Sequence, residues 1–321
     1  MDSIQQEQLA TAEAAEKPDS SSRSFIDRFF KLREHATNVR TEMMAGLTTF
    51  VTMGYIIFVN PNIMSTAGMD HGAVFVATCI GAAIACFLMG LYANWPVGLA
   101  PGMGLNAFFT YTVVLEMGHT WQVALGAVFL SGVLFVILSF YKIREWLLNS
   151  IPMSLKFAMT AGVGLFLGLI GLKTAGIVVD NQATLLSMGT FLEPATLLAA
   201  VCFLMIAVLS YHNVFGAVFI SILVVTFIGW GLDLVTYNGI FSAPPSVAPT
   251  FMQLDIMGAL DVSMIGVILA FLFVNMFDTA GTLMGVATKA NLIRPDGYIE
   301  NLSKALKADS SSSVVGTFFG C

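Results

Sequence analysis

"WPVGLAPGMGLNAFF", residues 95–109, is the stretch that decides how this chain folds. It lies in a run without charged residues from 72 to 115, long enough for two membrane crossings; a bilayer core takes about 20 apolar helical residues. Yet Pro96, Pro101, Gly98, Gly102 and Gly104 interrupt the second crossing. Proline removes a backbone donor and clashes with the preceding turn, so a continuous helix is not expected. Unwound backbone at membrane depth survives only where it is buried in protein or lines a cavity. A short hydrophobic segment broken by Gly and Pro is therefore a pointer to a transporter's binding site. Gly102 to Ala107 also spells the GxGxxA dinucleotide pattern, but that fingerprint needs a strand–turn–helix unit that these apolar surroundings do not offer.

The whole chain fits that setting. Hydrophobic residues make up 57 % and charged residues 11 % of 321, against about 25 % charged in soluble domains, and mean hydropathy is +0.82. Apolar runs predict spans at 43–65, 73–93, 97–115, 121–141, 153–172, 195–211, 213–232 and 262–287. The expected class is an all-α polytopic membrane protein. Residues 1–23 are expected to form a disordered cytoplasmic tail without a cleavable apolar signal, and 24–42 an amphipathic segment on the membrane surface. Residues 43–321 are expected to form the transmembrane domain. In the surface segment Phe25, Ile26, Phe29, Phe30 and Leu32 share a face beside basic residues. The net charge of −6 offers nothing to a nucleic acid. Cys79, Cys86, Cys202 and Cys321 show no metal-ligand or disulfide spacing, so no cofactor is expected; His35 reads as a solvated residue among charges and His212 as a loop or interfacial residue.

The basic residues orient the spans, because cytoplasmic loops carry the excess of Lys and Arg. With the N-terminus inside, Lys17, Arg23, Arg28, Lys31, Arg33 and Arg40 are cytoplasmic. So are Lys142 and Arg144 after the fourth span, and Lys289, Arg294, Lys304 and Lys307 after the eighth. Only Lys173 falls outside. The 233–261 loop is then external.

A second stretch is as unusual as the first. "FVNMFDTAGTL" (273–283) holds Asp278, the only ionisable side chain between Val262 and Thr288. A charge inside a span costs at least ~2.5 kcal/mol on insertion scales. No Lys or Arg lies in the neighbouring spans to pair with it, and small neighbours leave room beside it. The bland alternative is a protonated structural donor to a facing helix; the functional one is a substrate and proton site. "FVNPNIMSTAG" (58–68) faintly echoes "FVNMFDTAG" (273–281) seven spans away, as an inverted repeat would.

"FKLREHATNVRTEMMAGLTTFVTMGYIIFVNPNIM" (30–64), "LAPGMGLNAFFTY" (99–111) and "NMFDTAGTLMGVATKANL" (275–292) resemble the adenine/guanine/hypoxanthine (AzgA-like) branch of the nucleobase–cation symporters, bacterial adenine permeases in particular. The resemblance implies fourteen spans in two inverted repeats of seven, with core and gate domains. About the first nine would be present here, and the rest of the site would follow Cys321. It implies substrate contacts from Gly102, Met103, Gly104, Asn106 and Ala107 in the broken third span, and a stacking face from Phe108. Asp278 falls where the uracil branch has a base-binding glutamate and is expected to couple protons; Asn275, Thr279 and Thr282 are expected to face the substrate beside it.

The expected function is proton-coupled import of a purine base, foremost adenine, across the bacterial inner membrane, with the lipid bilayer as surroundings and a homodimer as one open arrangement. Guanine or hypoxanthine is an alternative cargo. An anion carrier of the same architecture would favour a cation over Asp278. A membrane enzyme would need a nucleophile–base pair or metal ligands in its spans. A fragment that does not transport on its own is the remaining reading.

Overall fold

The computed structural model describes residues 25–35, 37–140, 153–181, 184–214, 216–235, 243–289 and 301–321. The expected 1–23 tail and the basic residues of 141–152 and 290–300 lie outside these. Two compact units divide the chain at residue 46. In the first, α1 (Phe25–Phe30) exposes Phe25, Ile26 and Phe29. Lys31, at φ 55°, ends it. Leu32, expected on the same apolar face, is therefore carried by the turn to a buried position. The nearby cations are paired, Arg33 with Asp27 at 3.1 Å and Lys31 with Glu34 at 3.2 Å.

From residue 47 the chain is mostly helical. Helix α2 (Val39–Met53) is followed by α3 (Ile56–Thr66) and α4 (His71–Leu88). Asp70 caps α4 by accepting the Ala73 N–H at 2.7 Å, which satisfies one of the orphan donors of a helix start. A π turn (Met89–Ala93) ends at left-handed Asn94, and the chain then runs free of helix to Gly102, whose backbone is extended. Helix resumes as α5 (Met103–Ala107) and continues as π-helix through Phe108–Glu116. The third expected span is thus half irregular and half helix, broken where Pro96 and Pro101 require it.

There follow α6 (Trp121–Phe140), α7 (Met153–Thr174), α8 (Pro194–Tyr211), α9 (Ala217–Gly231), a turn α10 (Ile256–Ala259), α11 (Ile265–Lys289) and α12 (Leu302–Phe319). Among the described residues five stretches are long and apolar enough to cross a membrane: Val39–Thr66, His71–Ala93, Trp121–Ser139, Pro194–Tyr211 and Val262–Leu283. The protein is polytopic. The fifth and seventh expected spans contain shorter apolar stretches, Gly164–Thr174 and Ala217–Gly231.

The all-α expectation needs one correction. Between α7 and α8 a hairpin pairs β1 (Val178–Asn181) with β2 (Leu185–Met188), with Val178 opposite Met188 and Asn181 opposite Leu185. β-branched Val178 and Val179 favour the pleat, and the Asn181 side chain accepts the Thr184 N–H at 3.2 Å to close the turn.

Two hydrophobic clusters fix the helices that matter for function. One joins Met64 of α3, Phe109 and Val113 of the broken span, Leu125 of α6 and Phe271 of α11. The other joins Met89, Trp95, Leu283 of α11 and Leu306 of α12. Large buried side chains of this kind contribute about 1.5–3 kcal/mol each in an aqueous reference. By contrast α8 and α9 pack on each other and expose Phe203, Leu204, Phe227 and Trp230, as lipid-facing helices do.

Candidate functional site

A cavity of about 220 Å³ lies where the extended 98–102 stretch meets α11 and α12. Apart from Asn106 of α5, its polar side chains come mainly from two helical stripes. On α11, Asn275, Asp278, Thr279 and Thr282 stand at spacings of three and four residues, so they share one face. On α12, Asp309, Ser312, Ser313 and Gly316 repeat that spacing. Met64, Phe109, Leu125 and Leu283 supply the apolar walls.

The stripes are tied together. Thr279 Oγ1 donates a 2.7 Å hydrogen bond to Asp309 Oδ2, and Ser312 and Ser313 turn their hydroxyls back to the Asp309 carbonyl at 2.7 and 3.1 Å. Among the described residues no Lys or Arg comes within ion-pair distance of Asp278. Its carboxylate looks instead across the cavity at the extended stretch: a methyl group at Gly102 would stand 3.5 Å from Asp278 Oδ2. Gly102 is also the N-cap of α5, so the cavity meets a helix start whose N–H groups lack intrahelical partners.

Close packing holds the extended stretch in place. A side chain at Gly98 would come 2.6 Å from Met53 Sδ and 2.7 Å from Thr49 Cγ2. On the other side, Cys86 Sγ both accepts the Leu99 N–H and donates to the Leu99 carbonyl, each at 3.3 Å. Deeper in, Asn106 donates its amide to Asn60 of α3.

Of the ten residues singled out from sequence, Gly102, Asn106, Asn275, Asp278, Thr279 and Thr282 line this cavity. Met103, Gly104, Ala107 and Phe108 are not among the lining residues. Ala107 is fully buried, and Phe108 packs edge-on against Phe271 with ring centres 5.1 Å apart. The aromatic that reaches the cavity is its neighbour Phe109. Sequence reasoning passed over Asp309 and its serines, which sit in "LSKALKADSSSS" and read as a polar cytoplasmic loop after the eighth span. The signal available was the i, i+3, i+4, i+7 spacing of Asp309, Ser312, Ser313 and Gly316.

Two carboxylates and four hydroxyls thus line one small, mostly apolar hollow beside a helix start. Among the described residues no group of His, Cys, Asp and Glu is arranged to hold a metal.

Residues 40–321 match the profile of the xanthine/uracil permeases, described as the permease family. The chain belongs to that family. The permease is similar to the adenine permease AdeP of Escherichia coli strain K12, 48 % identical over 301 residues, covering 94 % of this chain and 68 % of AdeP. It is similar to AdeQ, another adenine permease of that strain, at 45 % over 92 % of this chain and 66 % of AdeQ. Similarity to the guanine/hypoxanthine permease PbuG of Bacillus subtilis strain 168 is 43 %, over 91 % of this chain and 69 % of PbuG. The permease therefore spans about two thirds of the length of these relatives. These relatives are permeases, transporters and not enzymes.

Proposed function

We propose that this permease is a proton-coupled importer of a purine nucleobase, foremost adenine, in the bacterial inner membrane with its N-terminus in the cytoplasm. The observation that carries the reading is the placement of Asp278 and Asp309 in one small cavity against an unwound span. The cavity is smaller than the roughly 300–1,000 Å³ of drug-sized ligand sites, a scale for a single heterocycle instead of a nucleotide. Its carboxylate oxygens accept the N–H groups of a base edge, and charge-assisted bonds of this kind are about twice as strong as neutral ones. The backbone N–H groups at the α5 start donate to ring nitrogens, and Phe109 presents an apolar wall. The names of AdeP and AdeQ support adenine; that of PbuG keeps guanine and hypoxanthine as the second choice.

Asp278 is the proposed proton carrier, because among the described residues a facing hydroxyl bonds Asp309 and none bonds Asp278. Transport then proceeds by movement of the substrate-holding helices α3, α5, α11 and α12 relative to the lipid-facing pair α8 and α9. The arrangement in two inverted repeats of seven spans belongs to the same proposal, and the FVN…TAG echo in α3 and α11 supports it.

The test is uptake of radiolabelled adenine by proteoliposomes holding the full-length permease, with an imposed pH gradient. Accumulation that follows an acid-outside gradient and collapses with a protonophore is the expected result. Accumulation indifferent to the gradient removes the coupling; failure of any purine base to enter removes the substrate class.

A further inference from the structure

We infer that Asn60 and Thr78, neither of which needs to touch the substrate, set the specificity of the cavity by fixing which end of the Asn106 amide faces it. The inference rests on the purine reading above and deepens it.

Thr78 of α4 donates its single hydroxyl hydrogen to the Val74 carbonyl at 2.7 Å. Its oxygen is then free only to accept, and it accepts from Asn60 Nδ2 at 2.8 Å. The other contacts of that pair agree: Cys321 Sγ lies 3.8 Å from Asn60 Nδ2 and 4.0 Å from Thr78 Oγ1. Asn60 must therefore turn its oxygen to Asn106, and it takes the hydrogen bond from Asn106 Nδ2. An amide has one accepting and one donating end, and here the chain of partners assigns both. Asn60 and Thr78 are fully buried and Asn106 is 9 % exposed, so water does not reverse the assignment.

What remains for the cavity is the Asn106 carbonyl oxygen. Among the described residues it accepts no hydrogen bond from the protein, while Asn106 lines the cavity. With Asp278 and Asp309 it gives the hollow a third side-chain acceptor, beside the Asn275 amide and the hydroxyls of α11 and α12. Between adenine and hypoxanthine the added acceptor favours adenine, which offers three N–H groups against two. A buried acceptor left without a donor carries the full desolvation penalty, and polar sites discriminate strongly against ligands that leave them unpaired.

The experiment is competition binding to the purified full-length permease, reading the ratio of hypoxanthine to adenine dissociation constants. Wild type is expected to prefer adenine. Thr78→Ser keeps the hydroxyl and should keep the ratio. Thr78→Val removes it, lets both amides turn over, and should lower the ratio about tenfold while adenine still binds. Asn60→Asp presents only oxygens to Asn106, so the ratio should hold there, and this variant decides the matter should Thr78→Val fail to fold. An unchanged ratio in Thr78→Val, a collapse in Asn60→Asp, or a wild-type preference for hypoxanthine overturns the inference. Absence of binding by any purine overturns the underlying reading instead.

Discussion

Thr279 on α11 and Asp309 on α12 are thirty residues apart in sequence, yet the threonine hydroxyl donates to the aspartate carboxylate across 2.7 Å. This bond closes one side of the cavity and keeps one carboxylate engaged while Asp278 faces the opposite wall. Thr279→Val preserves shape and removes the donor. A hydrogen bond to a charged group contributes about 1.5–3 kcal/mol, so a lower melting temperature in detergent is expected, with Thr279→Ser close to wild type. Equal melting of all three proteins would mean that the two helices are held by packing alone.

Asp278→Asn should abolish concentrative adenine uptake and leave the permease in the membrane at normal abundance. Asparagine matches the carboxylate in size but cannot ionise, so both proton exchange and the charge-assisted bonds are lost. Uptake at several external pH values checks this. Wild-type accumulation with an unchanged pH profile would make Asp278 a structural donor.

That carboxylate was legible in the sequence because it stands alone among apolar residues, and so was the broken span, which Pro96, Pro101 and three glycines announce. Asp309 was not. It lies between Lys307 and a run of serines, where polarity reads as a loop; only the packing of α12 against α4 and α6 turns that segment inward. The choice between Phe108 and Phe109 was equally hidden. It depends on the phase with which the π-helical continuation presents two adjacent rings, and Phe271 captures the first of them. The hairpin at 178–188 has the opposite lesson: its Val pair and Asn turn are visible once noticed, but four-residue strands are too short to stand out beside twenty-residue spans.

Two glycines of the extended stretch should respond differently to alanine. At Gly98 the new methyl meets Thr49 and Met53 at under 3 Å, and overpacking costs about 1–3 kcal/mol. At Gly102 the nearest atoms are 3.4 and 3.5 Å away, which is ordinary contact, but the methyl protrudes towards Asp278. Gly98→Ala is expected to lower thermal stability. Gly102→Ala is expected to melt normally and bind adenine several-fold more weakly. Identical behaviour of the two variants would contradict this division.

The proposed orientation puts Ser246, exposed in the 243–255 segment, on the outer side. A cysteine introduced there in an otherwise cysteine-free permease should react with a membrane-impermeant maleimide added to intact cells. Labelling only after the cytoplasmic face is opened would invert the topology.

The grip of Cys86 on Leu99 gives the permease a natural stopwatch. One sulfur atom occupies both the N–H and the C=O of Leu99 in the stretch beside the cavity, so an alkylating reagent should react faster with that thiol whenever Leu99 has let go. The rate of Cys86 alkylation, followed with and without adenine, therefore counts how often the stretch detaches, and a bound base that clamps it should slow the clock.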